Sequence, residues 1–302
     1  MHNLNMTTKP LVSLVSAIAQ SDGDFTTHIP SLMAYRRSAA TAPMACLYGL
    51  SLALTVQGAK RVILGDEVFN YGPGQSLIAT VDLPVTTYVT RASATEPYLG
   101  LRLELDARMI AQMAADIDFD SPLKSGSPRA ISVVTLDDGL LDALCRLLRL
   151  LQEPVLIDQV APLIEQEIVL RLLHGLHGPT LRHLVTKGST SHHVAKVIMW
   201  IRQNFTAVVS VEELAAKAHM SPSTFRLNFR NIAGMSPLQY IKNLRLQEAR
   251  HLMLSNSLDA GSAAVQVGYE SASQFSREYR RLFGEPPQRD IERMRALAES
   301  TN

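Results

Sequence analysis

The chain has few of the residues that would tie it to a membrane, an oxidising compartment or a familiar catalytic centre. Two cysteines, Cys46 and Cys145, are all it has in 302 residues. That count excludes a disulfide framework and fits a reducing cytoplasm. No run of eighteen uncharged apolar residues occurs, so no membrane-spanning helix is expected. The opening MHNLNMTTKPLVSLVSAIAQSDGDF lacks the charged start, apolar stretch and small-residue cleavage site of a secretory signal. HExxH, CxxC and GxSxG patterns are missing, which removes the usual signs of a zinc site or a serine hydrolase. Before Leu173, histidine occurs only as His2 and His28, too few to supply an internal metal site.

What is present is the composition of a soluble globular protein, 46% hydrophobic and 19% charged, long enough for two domains. The net charge of +1 hides an asymmetry. From residue 190 onward there are 14 Lys/Arg against 10 Asp/Glu, and before it 15 against 18. A basic C-terminal part suits a polyanionic partner.

Between Cys46 and Leu105 short β-branched and aromatic runs alternate with turn residues. Strands are expected at Leu50–Val56, Lys60–Leu64, Glu67–Tyr71, Ser76–Thr80, Val85–Thr90 and Tyr98–Leu105. The turns are Gln57-Gly58, Gly65-Asp66, Gly72-Pro73-Gly74 and Asp82-Leu83-Pro84. Gly65-Asp66 is a hairpin signal, since glycine supplies the positive φ of a tight turn. Many short strands at this spacing point to a small barrel or sandwich. Helical periodicity follows at Asp106–Ala115, Leu136–Leu151 and Val155–Leu173, with a Ser/Pro/Gly loop at 121–129 between the first two. The leucines of the last two helices suit either a dimer surface or the covering of one open side of the barrel. Residues 175–191, rich in Gly, Ser and Thr, read as a linker. His174, His177, His183, His192 and His193 cluster in or beside it, between the domains, and read as solvated. A metal at His174 and His177 with Glu167 lacks any supporting pattern.

Two helix-turn-helix units then follow in tandem, Ser210–Gly234 and Ser262–Gly284, with Ser223 and Ser273 at matching positions 50 residues apart. Ser210 and Glu213 form a capping box, and Pro222 and Pro237 open helices after Ser221 and Ser236. Leu214, Ala215 and Ala218 keep the first positioning helix slim. Phe225 with Phe229, and Phe275 with Tyr279, sit four apart and point inward. That leaves Ser223, Thr224, Arg226 and Leu227 of the first unit to meet base edges, and Ser273, Gln274, Ser276 and Arg277 of the second. Arg277 suits guanine and Gln274 adenine. Arg230, Arg280 and Arg281 lie further along and suit phosphates. A joining helix over Pro237–Leu254 spans roughly 27 Å, which sets the two readers about one turn of B-DNA apart.

These residues resemble the AraC/XylS family of transcription regulators over Ser191–Ala296. The resemblance rests on SPSTF, GMSPLQY and RLQEARHLML within Ser221–Leu254, and on VGYESASQFSREYRRLFGEPP, Val267–Pro287. The stretches Thr41–Leu54, Gln57–Phe69 and Val81–Thr86 resemble the N-terminal barrel of one subgroup. The resemblance implies an α+β chain: a cupin-like sensor and dimerisation domain with helical connector over 1–174, a linker over 175–191, and a DNA-binding domain over 192–302. It further implies a small-molecule effector. Cys46, opening the first strand beside Tyr48, is a candidate to sense an oxidant or electrophile at the barrel mouth, or else a buried, unreactive thiol, and Cys145 reads as core. The partners implied are double-stranded DNA, a second copy of the chain and RNA polymerase, with no cofactor or metal. Two departures stand out. Leu227 occupies a position often polar, leaving it only a thymine methyl to contact. Ala260-Gly261-Ser262-Ala263-Ala264 replaces the usual isoleucines, and Gly261 costs that helix about 1 kcal/mol. Two rival readings are a cupin-type enzyme with an attached DNA-binding domain, disfavoured by the missing ligands, and an architectural DNA binder, which has no use for a barrel.

Overall fold

In the computed structural model the described residues are 9–115, 117, 129–186 and 188–299. The loop expected at 121–129 lies outside them except for Arg129. Helix α1 (Lys9–Ile18) leads into strands β1 (Gly23–Thr26), β2 (Leu32–Arg37), β3 (Met44–Tyr48), β4 (Ser51–Gln57) and β5 (Ala59–Leu64). After these come β6 (Glu67–Tyr71), β7 (Gln75–Ala79), β8 (Leu83–Arg91) and β9 (Tyr98–Glu104). Helix α2 (Ala107–Ala115), β10 (Ile131–Thr135), α3 (Asp138–Arg149) and α4 (Ile157–His174) complete this half.

The chain is α+β, and its strands form two antiparallel sheets. One has the order β1-β2-β9-β4-β7-β10 and the other β3-β8-β5-β6. The β5–β6 hairpin turns on Gly65 at φ 59°, the conformation its sequence called for. Leu83 and Pro84, expected in a turn, instead pair with Tyr48 and Leu47 at the start of β8. Pro84 is accommodated because its missing N–H leaves the sheet's other hydrogen bonds intact.

Leu140, Leu144 and Leu147 of α3 and Ile164, Ile168 and Leu172 of α4 bury against Leu52, Leu54, Leu101 and α1. The leucine-rich helices therefore cover the six-stranded sheet, removing its apolar face from water. Val155, Leu156, Leu163 and Leu170 stay exposed on the outer side.

The stretch 175–191 is not an extended connection. It contains helix α5 (Gly178–Val185) with Leu181 fully buried. A Cβ at Gly178 would stand 2.2 Å from the Leu173 carbonyl oxygen, so glycine here permits a tight helix-to-helix turn. His177, expected in solvent, is 1% exposed. Its ring hydrogen-bonds Ser76 Oγ at 2.8 Å and Ser132 Oγ at 3.1 Å, tying α5 to β7 and β10. Burial lowers its pKa to about 4.

The C-terminal half is helical: α6 (Thr190–Asn204), α7 (Val211–Lys217), α8 (Pro222–Ala233), α9 (Pro237–Ser255), α10 (Ala260–Gln266), α11 (Ala272–Phe283) and α12 (Pro287–Glu299). The first helix-turn-helix shares a core with the four-stranded sheet, Val62, Leu64, Leu83 and Val85 meeting Val197, Phe225, Phe229 and Tyr240. The second has a core of its own, built from Leu246, Met253, Ala263, Phe275, Tyr279 and Ile291.

Candidate nucleic-acid interface

Each recognition helix is defined at both ends by its own residues. Ser221 and Ser271 are the N-caps, their hydroxyls accepting from the backbone N–H of Thr224 and Gln274. Gly234 and Gly284 close the helices in the left-handed conformation at φ 69° and 85°. Inside, Phe225, Phe229 and Tyr240 stack at centroid distances of 5.4 and 5.5 Å. In the second unit Tyr269, Phe275 and Tyr279 do so at 5.3 and 5.5 Å. This inward aromatic ridge rolls the opposite face of each helix toward solvent.

All eight residues expected at base edges are exposed: Ser223, Thr224, Arg226, Leu227, Ser273, Gln274, Ser276 and Arg277. So are Arg230, Arg280 and Arg281, expected at phosphates. The nineteen residues of α9 span about 28 Å between the two units. Its start is fixed by a capping box between Ser236 and Gln239, and the first positioning helix has the box expected of Ser210 and Glu213.

Several of these side chains are already engaged. Arg226 pairs with Glu212 at 3.2 Å, and Arg230 approaches Asp66 at 3.6 Å. Gln274 donates from Nε2 to Glu278 Oε1 at 3.2 Å, which competes with a two-point contact to adenine. Arg277, Arg280 and Arg281 have no ion pair among the described residues. Arginine side chains held this way need no partner broken before they meet DNA.

Sequence reasoning did not single out Glu278. It also accepts from Lys242 Nζ and Tyr269 OH, both at 2.8 Å, linking α9 to the second recognition helix. Partial burial pushes its pKa up, but the hydrogen bonds from Lys242, Tyr269 and Gln274 hold the carboxyl below its usual range. The signal available was its position four residues after Gln274, a helical neighbour. Asp290 is a second such residue: fully buried, it accepts from Tyr279 OH at 2.8 Å and pairs with Arg250 and Arg293 at 2.7 Å.

A cleft of about 650 Å³ lies between the two recognition units, bordered by Asp66, Arg230, Lys242, Asn243, Glu278 and Arg281. Of its three cations, Arg230 and Lys242 pair with Asp66 and Glu278, the two carboxylates on the same rim. The β5–β6 turn enters from the other half. A Cβ at Gly65 would stand 2.0 Å from the Gly234 carbonyl oxygen, so hairpin tip and helix end meet backbone to backbone. Behind that contact Tyr240 OH donates to the Asp82 carbonyl at 2.8 Å and Arg202 pairs with the Asp82 carboxylate at 2.9 Å.

The effector candidates lie on β3. Cys46 borders a cavity of about 290 Å³ shared with Leu47, Leu244, Arg250, His251 and Leu254 of the joining helix. Burial pushes its thiol up to about 11, which keeps it protonated and a poor nucleophile at neutral pH. Tyr48 donates to Thr87 Oγ1 at 3.2 Å, and its ring centroid is 5.5 Å from Lys60 Nζ. Glu167, considered with His174 and His177 for a metal, is occupied by Arg146 and Arg171.

Comparison with known proteins places both halves. The family described as AraC-type transcriptional regulator N-terminus matches residues 28–180, half of the chain, and a helix-turn-helix domain matches 214–293. The RCS-specific HTH-type transcriptional activator RclR of Escherichia coli (strain K12) is 40% identical over 89 residues, 30% of this chain and 31% of that protein. The XylDLEGF operon transcriptional activator of Pseudomonas putida is 32% identical over 123 residues, 40% and 38% of the two chains. The chain thus spans only about a third to two fifths of the length of these relatives. Among solved structures, ToxT of Vibrio cholerae strain SCE256 bound to an unsaturated fatty acid covers 86% of this chain and 94% of its own, with a TM-score of 0.58 at 8% identity. ToxT of Vibrio cholerae O395 bound to (E)-4-(8-methylnaphthalen-1-yl)but-3-enoic acid covers 86% and 98%, with a TM-score of 0.58 at 11% identity. These two likenesses concern the fold.

Proposed function

Because the chain belongs to the AraC-type transcriptional regulators, with an N-terminal regulatory half and a C-terminal helix-turn-helix half, we propose that it reads a promoter through two successive major-groove segments under control of a small-molecule effector. The observation that carries this is the pair of solvent-facing recognition helices joined by α9, whose length of about 28 Å suits successive major-groove segments. In the second unit Arg277 reads guanine, with Ser273, Ser276 and Gln274 beside it. In the first unit Ser223, Thr224 and Arg226 meet base edges, and Leu227, 62% exposed, packs on a thymine methyl. Arg230, Arg280 and Arg281 hold phosphates.

The N-terminal half, taken as 1–174 with α5 packed back onto it, senses the effector, and residues from 192 onward bind DNA in the cytoplasm. Two ToxT structures hold an organic acid, which supports an effector role for this fold. The exposed line of Leu163 and Leu170 on α4, with Leu156 just before its start, repeats every seven residues and fits a second copy of the chain packing helix to helix. RNA polymerase is the further partner of such a regulator.

The test is direct. An operator is selected from random duplexes with the full chain, and Arg277→Ala is then measured against it at fixed salt. The expected loss is about 10- to 100-fold in specific affinity, with non-specific affinity nearly kept. Unchanged operator affinity would overturn the assignment.

A further inference from the structure

Lys60 lies on the inner side of the four-stranded sheet in surroundings unusual for an ammonium. Its Nζ is 5.5, 5.7 and 6.0 Å from the ring centroids of Tyr48, Tyr35 and Tyr98. Tyr71 stands directly opposite it in the β5–β6 ladder. No carboxylate pairs with Lys60 among the described residues. The aromatic faces offset part of its desolvation, but a cation removed from water this way still favours an anion beside it. Tyr71 sharpens the point. It is 2% exposed, and its hydroxyl faces the Tyr48 phenol without a well-formed hydrogen bond of its own. A buried hydroxyl short of a good partner favours an acceptor placed beside it. Burial pushes the phenols of Tyr35, Tyr71 and Tyr98 up, so each is a protonated O–H at neutral pH.

We propose that Lys60 and these tyrosines form a binding site for a small organic monocarboxylate. Its carboxylate meets the Lys60 ammonium and the Tyr71 hydroxyl, and its apolar body lies against the rings of Tyr35, Tyr48 and Tyr98. One cation selects a single negative charge, since a phosphate dianion would be left half-compensated. Ring faces on three sides select a flat, apolar body over a sugar, whose hydroxyls would go unpaired. Lys60, Tyr35 and Tyr48 are only half-buried, so the site opens to solvent on their side. The proposal rests on the effector reading above and gives that effector a chemical class.

The experiment uses the full chain and three acids of growing body, acetate, phenylacetate and cinnamate, each beside its neutral primary amide. Thermal unfolding is followed with each compound at millimolar concentration, and dissociation constants by calorimetry. The site predicts that at least one aromatic acid raises Tm by about 2 °C or more while its amide does not. Lys60→Met lowers that acid's affinity at least about 30-fold, and Tyr71→Phe lowers it about 5- to 10-fold. Tyr71→Phe also serves if Lys60→Met fails to fold, because it removes one hydroxyl and keeps the buried ring. Failure of all three acids to bind, binding of the amides equal to that of the acids, or an unchanged affinity in Tyr71→Phe would each overturn the site. The effector reading is judged separately, by whether any bound compound, neutral ones included, changes operator affinity.

Discussion

His177 is held neutral where a solvated imidazole would take a proton. With both ring nitrogens bridging serine hydroxyls and burial lowering its pKa to about 4, the folded state resists protonation that the unfolded chain accepts near 6.5. The contribution is therefore fully present above pH 6.5 and is lost as pH falls from 6.5 toward 4. Over that window it amounts to about 3 kcal/mol, falling at up to about 1.4 kcal/mol per pH unit. Urea unfolding of wild type and His177→Gln at pH 7, 6 and 5 measures it. The wild-type curve is expected to drop more steeply, and parallel curves would show that His177 does not stay neutral in the fold. The same physics acts at Cys46, where burial favours packing over thiolate chemistry.

Among elements, the two recognition helices end alike in sequence but not in surroundings. Nothing lies within 4 Å of a Cβ placed on Gly284, whereas one on Gly234 would stand 2.7 Å from Leu64 Cγ in the β5–β6 hairpin. Alanine at either position pays about 1 kcal/mol for positive φ. Gly234→Ala pays roughly 1–3 kcal/mol more for overpacking the contact between the halves. Equal losses in denaturant unfolding would mean that hairpin and helix end do not touch in solution. Caps, inward aromatics, α9 and six of the strands were legible in the sequence because each depends on local rules of spacing and turn chemistry. The helix at Gly178–Val185 was not, since its glycines serve a tight turn that resembles a linker in composition. Strands β2 and β10 stand apart from the alternating run and declare themselves only through long-range pairing with β9 and β7, and β1 through its pairing with β2. At the site, exposure of the reading residues followed from the Phe/Tyr spacing. The pairing of Gln274 with Glu278 and of Arg230 with Asp66 depended on rotamers and on the other half of the chain.

For the whole molecule, the exposed leucines of α4 and the division of cores have separate consequences. Leu163→Glu puts a charge in the middle of the proposed helix-to-helix contact, and sedimentation is expected to show its dimer weakened at least about tenfold with the fold intact. A dimer of unchanged affinity would place the contact elsewhere. Within one chain, the first helix-turn-helix cannot open without exposing Leu64, Leu83 and Val85 of the sheet, and it is pinned through Asp82 by Tyr240 and Arg202. The second keeps its own core and is attached through α9, with Arg245 bonding the carbonyls of Phe205 and Gly268 across the junction. Regions with separate cores open separately, so native-state hydrogen exchange is expected to resolve two units. Amides of Ala272–Phe283 exchange through an opening of lower free energy than those of Pro222–Ala233, and bound operator DNA narrows the gap by holding both. On this expectation the N-terminal half holds the first reader through a shared core and the second through a smaller contact at β3, which leaves the second freer to adjust to its groove. Identical opening energies across increasing urea would instead make the two readers one rigid body, and that division of labour would be wrong.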